Sequence, residues 1–159
     1  GMFDQVDRVL YDLKHNPQSR RIITNIYVHS DLHEMNLYPC AYSMTFNVTG
    51  NKLNAILNQR SNDILPANNM NVVEYAVLVH MLAQVSGLEV GELVHVIADA
   101  HIYDRHIPLI EELISRTPQP APKLKINPDV KNFYDFKRDD FELIDYNPGP
   151  QIKNIPIAE

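Results

Sequence analysis

The chain has 159 residues, 45% of them hydrophobic, which suits one domain with a sizeable core or a large part of one. Its net charge of -6 excludes general electrostatic binding to nucleic acid, which needs clustered Lys and Arg, but leaves room for a small phosphorylated ligand in a local basic pocket. No apolar run approaches the ~18 residues of a membrane span, and no signal-peptide pattern opens the chain. Gly1 before Met2 reads as a tag remnant, so residues 2–159 are expected to form a single domain.

Residues 3–14 predict an amphipathic helix, with Phe3, Val6, Leu10 and Leu13 on one face and Asn16-Pro17 ending it. Residues 21–28 are β-branched and aromatic and predict a strand, followed by an irregular or helical connection over 31–38. After Cys40, Tyr42, Met44, Phe46 and Val48 alternate with smaller or polar residues. Residues 49–52 read as a turn and 53–59 as the returning strand of a hairpin. Asn68 to Ser86 is the strongest helix. It is apolar nearly all round, which predicts a buried helix, and Gly87 is its natural C-cap. Residues 90–103 predict a strand and 108–115 a short helix with Pro108 in its first turn. Three prolines over 117–122 fix an extended connector, and short strands and turns lead to a Pro-rich tail from Asn147. The expected class is α+β, a mixed sheet around one long buried helix.

Several residues could carry chemistry. The one cysteine cannot form an intramolecular disulfide, which favours a reducing, cytoplasmic setting. A lone Cys is usually a small buried hydrophobe. Cys40, however, follows Pro39 at a strand entry, where the backbone is restricted and the thiol is held in one direction. A nucleophilic thiol needs nearby positive charge, and Arg60 is the candidate. Arg20-Arg21 precedes one predicted strand and Gln59-Arg60-Ser61 ends another. An isolated Arg pair is more often solvated, but these are three of only seven Arg in an acidic chain. Asp99, His101 and Tyr103 fall on one face of the predicted strand, as a satisfied polar network or a ligand wall. One of Asp63, Asn68, Asn69 and Asn71 is expected to cap the long helix, leaving others for a ligand. No metal is assigned: of the seven His only His29 and His33 stand four apart, and no predicted helix carries both. No Gly-rich phosphate loop occurs, and no nucleophile-elbow pattern supports a Ser61, His101, Asp99 triad.

Taken in order, these pieces resemble the thymidylate synthase family. The resemblance runs from about Phe3 to Ala158 and rests on SRRI (Ser19 to Ile22), Pro39-Cys40, QRSND (Gln59 to Asp63), Asn71 with the helix behind it, and DAHIY (Asp99 to Tyr103). The closing PQPAPKL and DYNPGPQIKNIPIA segments also fit. The resemblance implies the fold shared with deoxycytidylate hydroxymethylases. It implies reductive methylation of dUMP to dTMP, with 5,10-methylenetetrahydrofolate giving the one-carbon unit and the hydride. Cys40 would attack C6 of the uracil ring, dividing one hard step into easier ones. Arg60 and Ser61, with Gln59 beside them, would hold the nucleotide phosphate end. Arg20 and Arg21 would reach the phosphate in the partner's site, which implies a homodimer. Asn71 would bond the uracil edge, His101 and Tyr103 the sugar 3′-hydroxyl, and Asp63 the folate pterin. Asp99 would join the catalytic polar network, and the tail through Ala158 would close over the ligands.

The chain also departs from the family pattern. It lacks the family's amino-terminal part, which carries a proton-relaying glutamate, a further phosphate arginine and tryptophans of the folate site; no Trp occurs here. That portion could be encoded separately. Ala41, Thr45, Pro66-Ala67, Arg105 and Glu159 stand where His, Gln, Leu-Gly, Asn and an apolar residue are common. The alternatives are a nucleotide-binding remnant that does not turn over, and a pyrimidine nucleotide hydroxymethylase. The latter is expected to carry Asp where this chain has Asn71, to suit cytosine rather than uracil.

Overall fold

The computed structural model describes residues 4–157. Gly1, Met2, Phe3, Ala158 and Glu159, which entered the expectations above, lie outside the described residues. The first helix, α1 (Gln5–His15), starts at Asp4, whose carboxylate accepts from the backbone N–H of Val6 and Asp7, satisfying two donors of the first turn. Four strands form the main sheet in the order β1 (Ile23–Asn25), β2 (Ala41–Thr49), β3 (Lys52–Gln59), β5 (Glu89–Ile97). β1, β2 and β3 are antiparallel neighbours, whereas β3 and β5 run parallel. The helix α2 (Asn68–Ser86) is the crossover between them, which is what a parallel pair requires. Gly87 ends it with φ 71°, a left-handed conformation that glycine adopts without a Cβ penalty.

A short pair, β4 (Asn62–Asp63) and β6 (Ala100–His101), continues the parallel alignment beyond β3 and β5. The helix α3 (Ile107–Ser115) and an outlying hairpin, β7 (Lys123–Ile126) with β8 (Phe141–Ile144), complete the α+β architecture. The core lies between one face of the sheet and the helices. Met44 and Phe46 of β2 and Leu53, Ala55 and Leu57 of β3 meet Val9 and Leu13 of α1 and Val79, Leu82 and Ala83 of α2. Leu53 and Leu57 are fully buried, so truncating either to Ala costs about 2–5 kcal/mol.

Five expectations are corrected. The strand expected over 21–28 is regular only over Ile23–Asn25. Tyr42 does not continue the Met44–Phe46 face. Ala41 pairs with Gln59 and Ser43 with Asn58, so Tyr42 is the extra residue of a β-bulge, and Ala41 is buried instead. The strand expected over 90–103 breaks after Ile97, because the chain leaves β3 to pair β6 with β4; Tyr103 lies past both strands. The long helix is buried only in its second half, with Met70 72% and Val73 59% exposed. Ala67 occupies its N-cap position and no side chain caps it.

The face of the sheet away from the helices is uncovered. Register aligns Ile23, Thr45, Ile56 and Val94 in one row across all four strands. Ile23, Ile56, Val94 and Val96 are all substantially exposed there.

Candidate functional site

The site forms beyond the carboxyl ends of the parallel pair β3 and β5, where open α/β sheets place ligand crevices. Three consecutive features of β3's end build it. Arg60 N–H donates to the Cys40 carbonyl (2.8 Å). The Arg60 guanidinium donates from Nε to the Pro39 carbonyl (2.9 Å) and from Nη2 to the Tyr38 carbonyl (2.8 Å). Its Nη2 then stands 3.8 Å from Cys40 Sγ. One planar fork therefore braces the segment before β2 and sets a fixed positive charge against the thiol. A cavity of about 340 Å³, lined by Asn25, Tyr27, His29, Tyr42 and Arg60, opens beside it. Tyr27 stacks edge-on against both Tyr38 and Tyr42 in this wall.

Gln59 is the second feature. It continues the buried row of Leu53, Ala55 and Leu57 and is 2% exposed. Its Nε2 donates to the Ser61 carbonyl (2.8 Å) and to Asn71 Oδ1 (3.1 Å), and its Oε1 lies 2.8 Å from His95 Nε2. Since Gln59 Oε1 can only accept, His95 donates from Nε2. Burial pushes the His95 pKa below its ordinary value, so the ring is neutral at pH 7. The chain His95 to Gln59 to Asn71 fixes the Asn71 amide with one lone pair of Oδ1 occupied and both amide hydrogens left to donate.

The third feature is the β4–β6 pair. Asn62 N–H donates to the Asp99 carbonyl (2.9 Å) and Ile64 N–H to the His101 carbonyl (3.0 Å), which brings Asp63 beside His101. The His101 ring lies edge-on to Tyr103 at 5.3 Å, and its Nδ1 is 3.7 Å from the exposed carboxylate of Asp99. Asp99, His101 and Tyr103 are thus neighbours although they share no strand face. Among the described residues, five buried side-chain polar atoms have no hydrogen-bond partner. Four of them belong to this cleft: Asn62 Oδ1, Asp63 Oδ1, His101 Nδ1 and His106 Nδ1. Such atoms are costly unless water or a ligand satisfies them, so their clustering makes this cleft the candidate binding site.

Cys40, Gln59, Arg60, Ser61, Asp63, Asn71, Asp99, His101 and Tyr103 are therefore gathered at one end of the sheet. Arg20 and Arg21 are not. They precede Ile22, whose carbonyl bonds the Phe46 N–H. Cys40 lies six residues before Phe46, just ahead of β2, about 20 Å away at the usual strand rise. Both Arg are exposed. A larger cavity of about 670 Å³ lies elsewhere, between Arg116, Tyr146 and the prolines of the two Pro-rich segments, and shares no residue with the cleft. Among the described residues no group of three or more His, Cys, Asp or Glu could hold a metal ion.

Some residues of the site escape sequence reasoning. Asn62 lies within the QRSND string, but its burial and its contact from Nδ2 to Asn68 Oδ1 (3.3 Å) appear only in three dimensions. His95 had a visible signal, one polar residue on the inward Leu93–Ile97 face of β5.

The family model described as thymidylate synthase matches residues 1–158. The chain belongs to the thymidylate synthase family. It is 49% identical over 149 residues to a thymidylate synthase of Bacillus licheniformis, covering 94% of this chain and 53% of that protein. It is 46% identical to thymidylate synthase 1 of Bacillus amyloliquefaciens, covering 97% and 67% respectively. The solved structure of thermostable thymidylate synthase A from Bacillus subtilis superposes with a TM-score of 0.93 at 44% identity, covering 96% of this chain and 55% of that one. The chain spans about half the length of the first of these relatives. Membership fits the α+β fold, and among the described residues no helix is long and apolar enough to cross a membrane.

Proposed function

We propose that this chain carries the nucleotide-methylating half of a thymidylate synthase site, in which dUMP is converted to dTMP in a cytoplasmic setting. The observation that carries the reading is the Cys40 thiol 3.8 Å from an Arg60 fork, at the same strand end as a pre-oriented Asn71. Cys40 attacks C6 of the uracil ring, the C5–C6 double bond opens, and negative charge spreads over C5 and O4. Asn71 donates to O4 while its remaining Oδ1 lone pair accepts from N3–H. Cytosine offers the reverse pattern, so Gln59's grip on Asn71 favours uracil over the substrate of a hydroxymethylase. C5 then bonds the one-carbon unit of 5,10-methylenetetrahydrofolate and loses its own proton to solvent, and the folate nitrogen leaves, giving an exocyclic methylene on the Cys40-bound ring. Hydride transfer from the same folate and expulsion of the thiolate leave dTMP and dihydrofolate.

Arg60 uses three of its contacts on Tyr38, Pro39 and Cys40, and its remaining N–H donors, with the Ser61 hydroxyl, take the phosphate. His101 and Tyr103 take the sugar hydroxyl. The partnerless Asp63 Oδ1 is the acceptor available to the pterin of the folate. Arg20 and Arg21, about 20 Å away within one copy, serve the site of a second copy. The exposed row of Ile23, Ile56 and Val94 supports a homodimer in which two such sheets stack face to face. The second reading is nucleotide binding with little turnover.

Tritium release from C5-tritiated dUMP with methylenetetrahydrofolate separates the two readings. The chain is expected to release tritium and Cys40→Ser none; equal rates would rule out catalysis through Cys40. By calorimetry, Arg60→Ala is expected to weaken dUMP binding at least tenfold, the loss of about one charged hydrogen bond. Unchanged affinity would remove the phosphate from Arg60.

A further inference from the structure

Residues 150–157 form an extended strap that meets the cleft wall at His106 and Arg105. His106 is 1% exposed, and its Nε2 donates to the Pro156 carbonyl at 2.8 Å. A carbonyl only accepts, so the proton on Nε2 is fixed by this bond. The other ring nitrogen, Nδ1, lies 3.7 Å from Asp63 Oδ1. Neither of those two atoms has a hydrogen-bond partner, and both are buried. The His106 ring is also held edge-on by Tyr103 at 5.8 Å. One residue earlier, Arg105 Nη1 donates to the Ile157 carbonyl at 2.5 Å. Adjacent side chains of the turn before α3 thus grip two adjacent strap carbonyls, some 50 residues further along the chain.

This grip is not needed to bury an apolar core. His106 does not belong to the core cluster, and Ile157 is 82% exposed. The buried imidazole bonds the strap on one side and faces Asp63, without a hydrogen bond, on the other. We propose that His106 is a positioning residue which, with Arg105, latches the strap over the Asp63 end of the cleft. Its consequence for ligands rests on the reading of Asp63 as the folate-side carboxylate. The latch itself does not.

Hydrogen–deuterium exchange on the full ligand-free chain tests the latch, comparing peptides of 150–157 with peptides of α2. Arg105→Ala and His106→Leu are each expected to speed strap exchange about fivefold, the loss of one net hydrogen bond, with α2 unchanged. His106→Gln keeps an N–H donor near the same carbonyl and is expected to restore slow exchange. Unchanged strap exchange in both Arg105→Ala and His106→Leu would overturn the latch. So would acceleration spread equally over α2, or a His106→Gln variant as fast as His106→Leu. Arg105 is exposed, so its variant reports even where His106→Leu does not fold.

Calorimetry of the dUMP-loaded chain with tetrahydrofolate reads the consequence. Both loosened variants are expected to bind tetrahydrofolate about fivefold more weakly and dUMP equally well. Unchanged tetrahydrofolate affinity beside a loosened strap would overturn the positioning role. Failure of the unaltered chain to bind either ligand would overturn the functional reading, and the exchange data would still decide the latch.

Discussion

Gln59→Leu tests the logic of the site most directly. Leu has a similar volume and fits the buried row of Leu53, Ala55 and Leu57, so packing is nearly conserved. The substitution removes three hydrogen bonds, to Ser61, Asn71 and His95. At about 1 kcal/mol net each, and with some orphaned partners reaching water, the cost is about 2–4 kcal/mol. For a chain of this length that lowers Tm by roughly 4–16 °C in a calorimetric melt. A second effect concerns the ligand. Without Gln59, the Asn71 amide is free to turn, and dUMP binding is expected to weaken about fivefold, the worth of one net hydrogen bond. Gln59→Glu separates the two effects. A carboxylate can only accept, so Asn71 must turn its amide hydrogens toward it and present Oδ1 outward. Preference for uracil over cytosine nucleotides is then expected to fall further than in Gln59→Leu. A Gln59→Leu protein within about 0.5 kcal/mol of the parent, the range of an inert surface change, and with full dUMP affinity would refute this account.

Other regions give equally definite expectations. At Gly91 a Cβ would lie 2.2 Å from Asn54 Oδ1 and 2.7 Å from the Leu53 carbonyl, where β3 and β5 shift register. Gly91→Ala is therefore expected to cost about 1–3 kcal/mol, read as a lower denaturant midpoint; an unchanged midpoint would show that the strands simply part. The Tyr134 hydroxyl donates to Asp7 at 2.9 Å, and this bond first, with burial and the charges of Asp4 and Asp7 after it, raises the Tyr134 pKa to about 12. The folded state thus holds this proton more tightly than the unfolded one, whose phenol titrates near 10.0. The resulting stabilisation is complete below pH 10 and is lost as pH rises from there through 12. Spectrophotometric titration should show Asp7→Asn bringing one phenol back toward 10; no change would deny the bond. Val94→Glu places a charge in the exposed sheet row and is expected to leave a monomer in sedimentation, whereas a dimer that persists would move the interface off that face.

Much of this fold is legible locally. Residues 68–86 form the helix the sequence predicts, and Gly87 ends it, because apolar periodicity and the left-handed cap act within a few residues. The β2–β3 hairpin is equally local, with Gly50 taking φ 62° at its turn. What fails depends on contacts distant in sequence. The bulge at Tyr42 answers to the end of β3, not to alternation within β2. The break after Ile97 answers to β4, which lies some 35 residues earlier. The asparagines around the start of α2 look like caps because capping is their commonest local use. Here Asn68 accepts from Asn62 and Asn71 from Gln59, so those two serve the cleft and the helix starts uncapped.

The candidate site divides along the same line. Cys40 and Arg60 were each visible, but a sequence cannot state that they meet, and the hairpin between them, across a separation of 20 positions, brings them together. Arg60 also has two tasks that sequence shows as one. Its Nε and Nη2 hold carbonyls of residues 38 and 39, which is the work of a brace, while its charge faces the thiol. A brace and a charge are separable. Arg60→Lys keeps the charge on a flexible stem but loses the planar fork. If the brace dominates, Arg60→Lys should leave Cys40 as poorly positioned as Arg60→Ala does, and tritium release should fall alike in both. If the charge dominates, Arg60→Lys should retain most of it. The two short guanidinium–carbonyl distances, against 3.8 Å to sulfur, favour the brace. Holding Cys40 in place is then the larger part of what this arginine contributes.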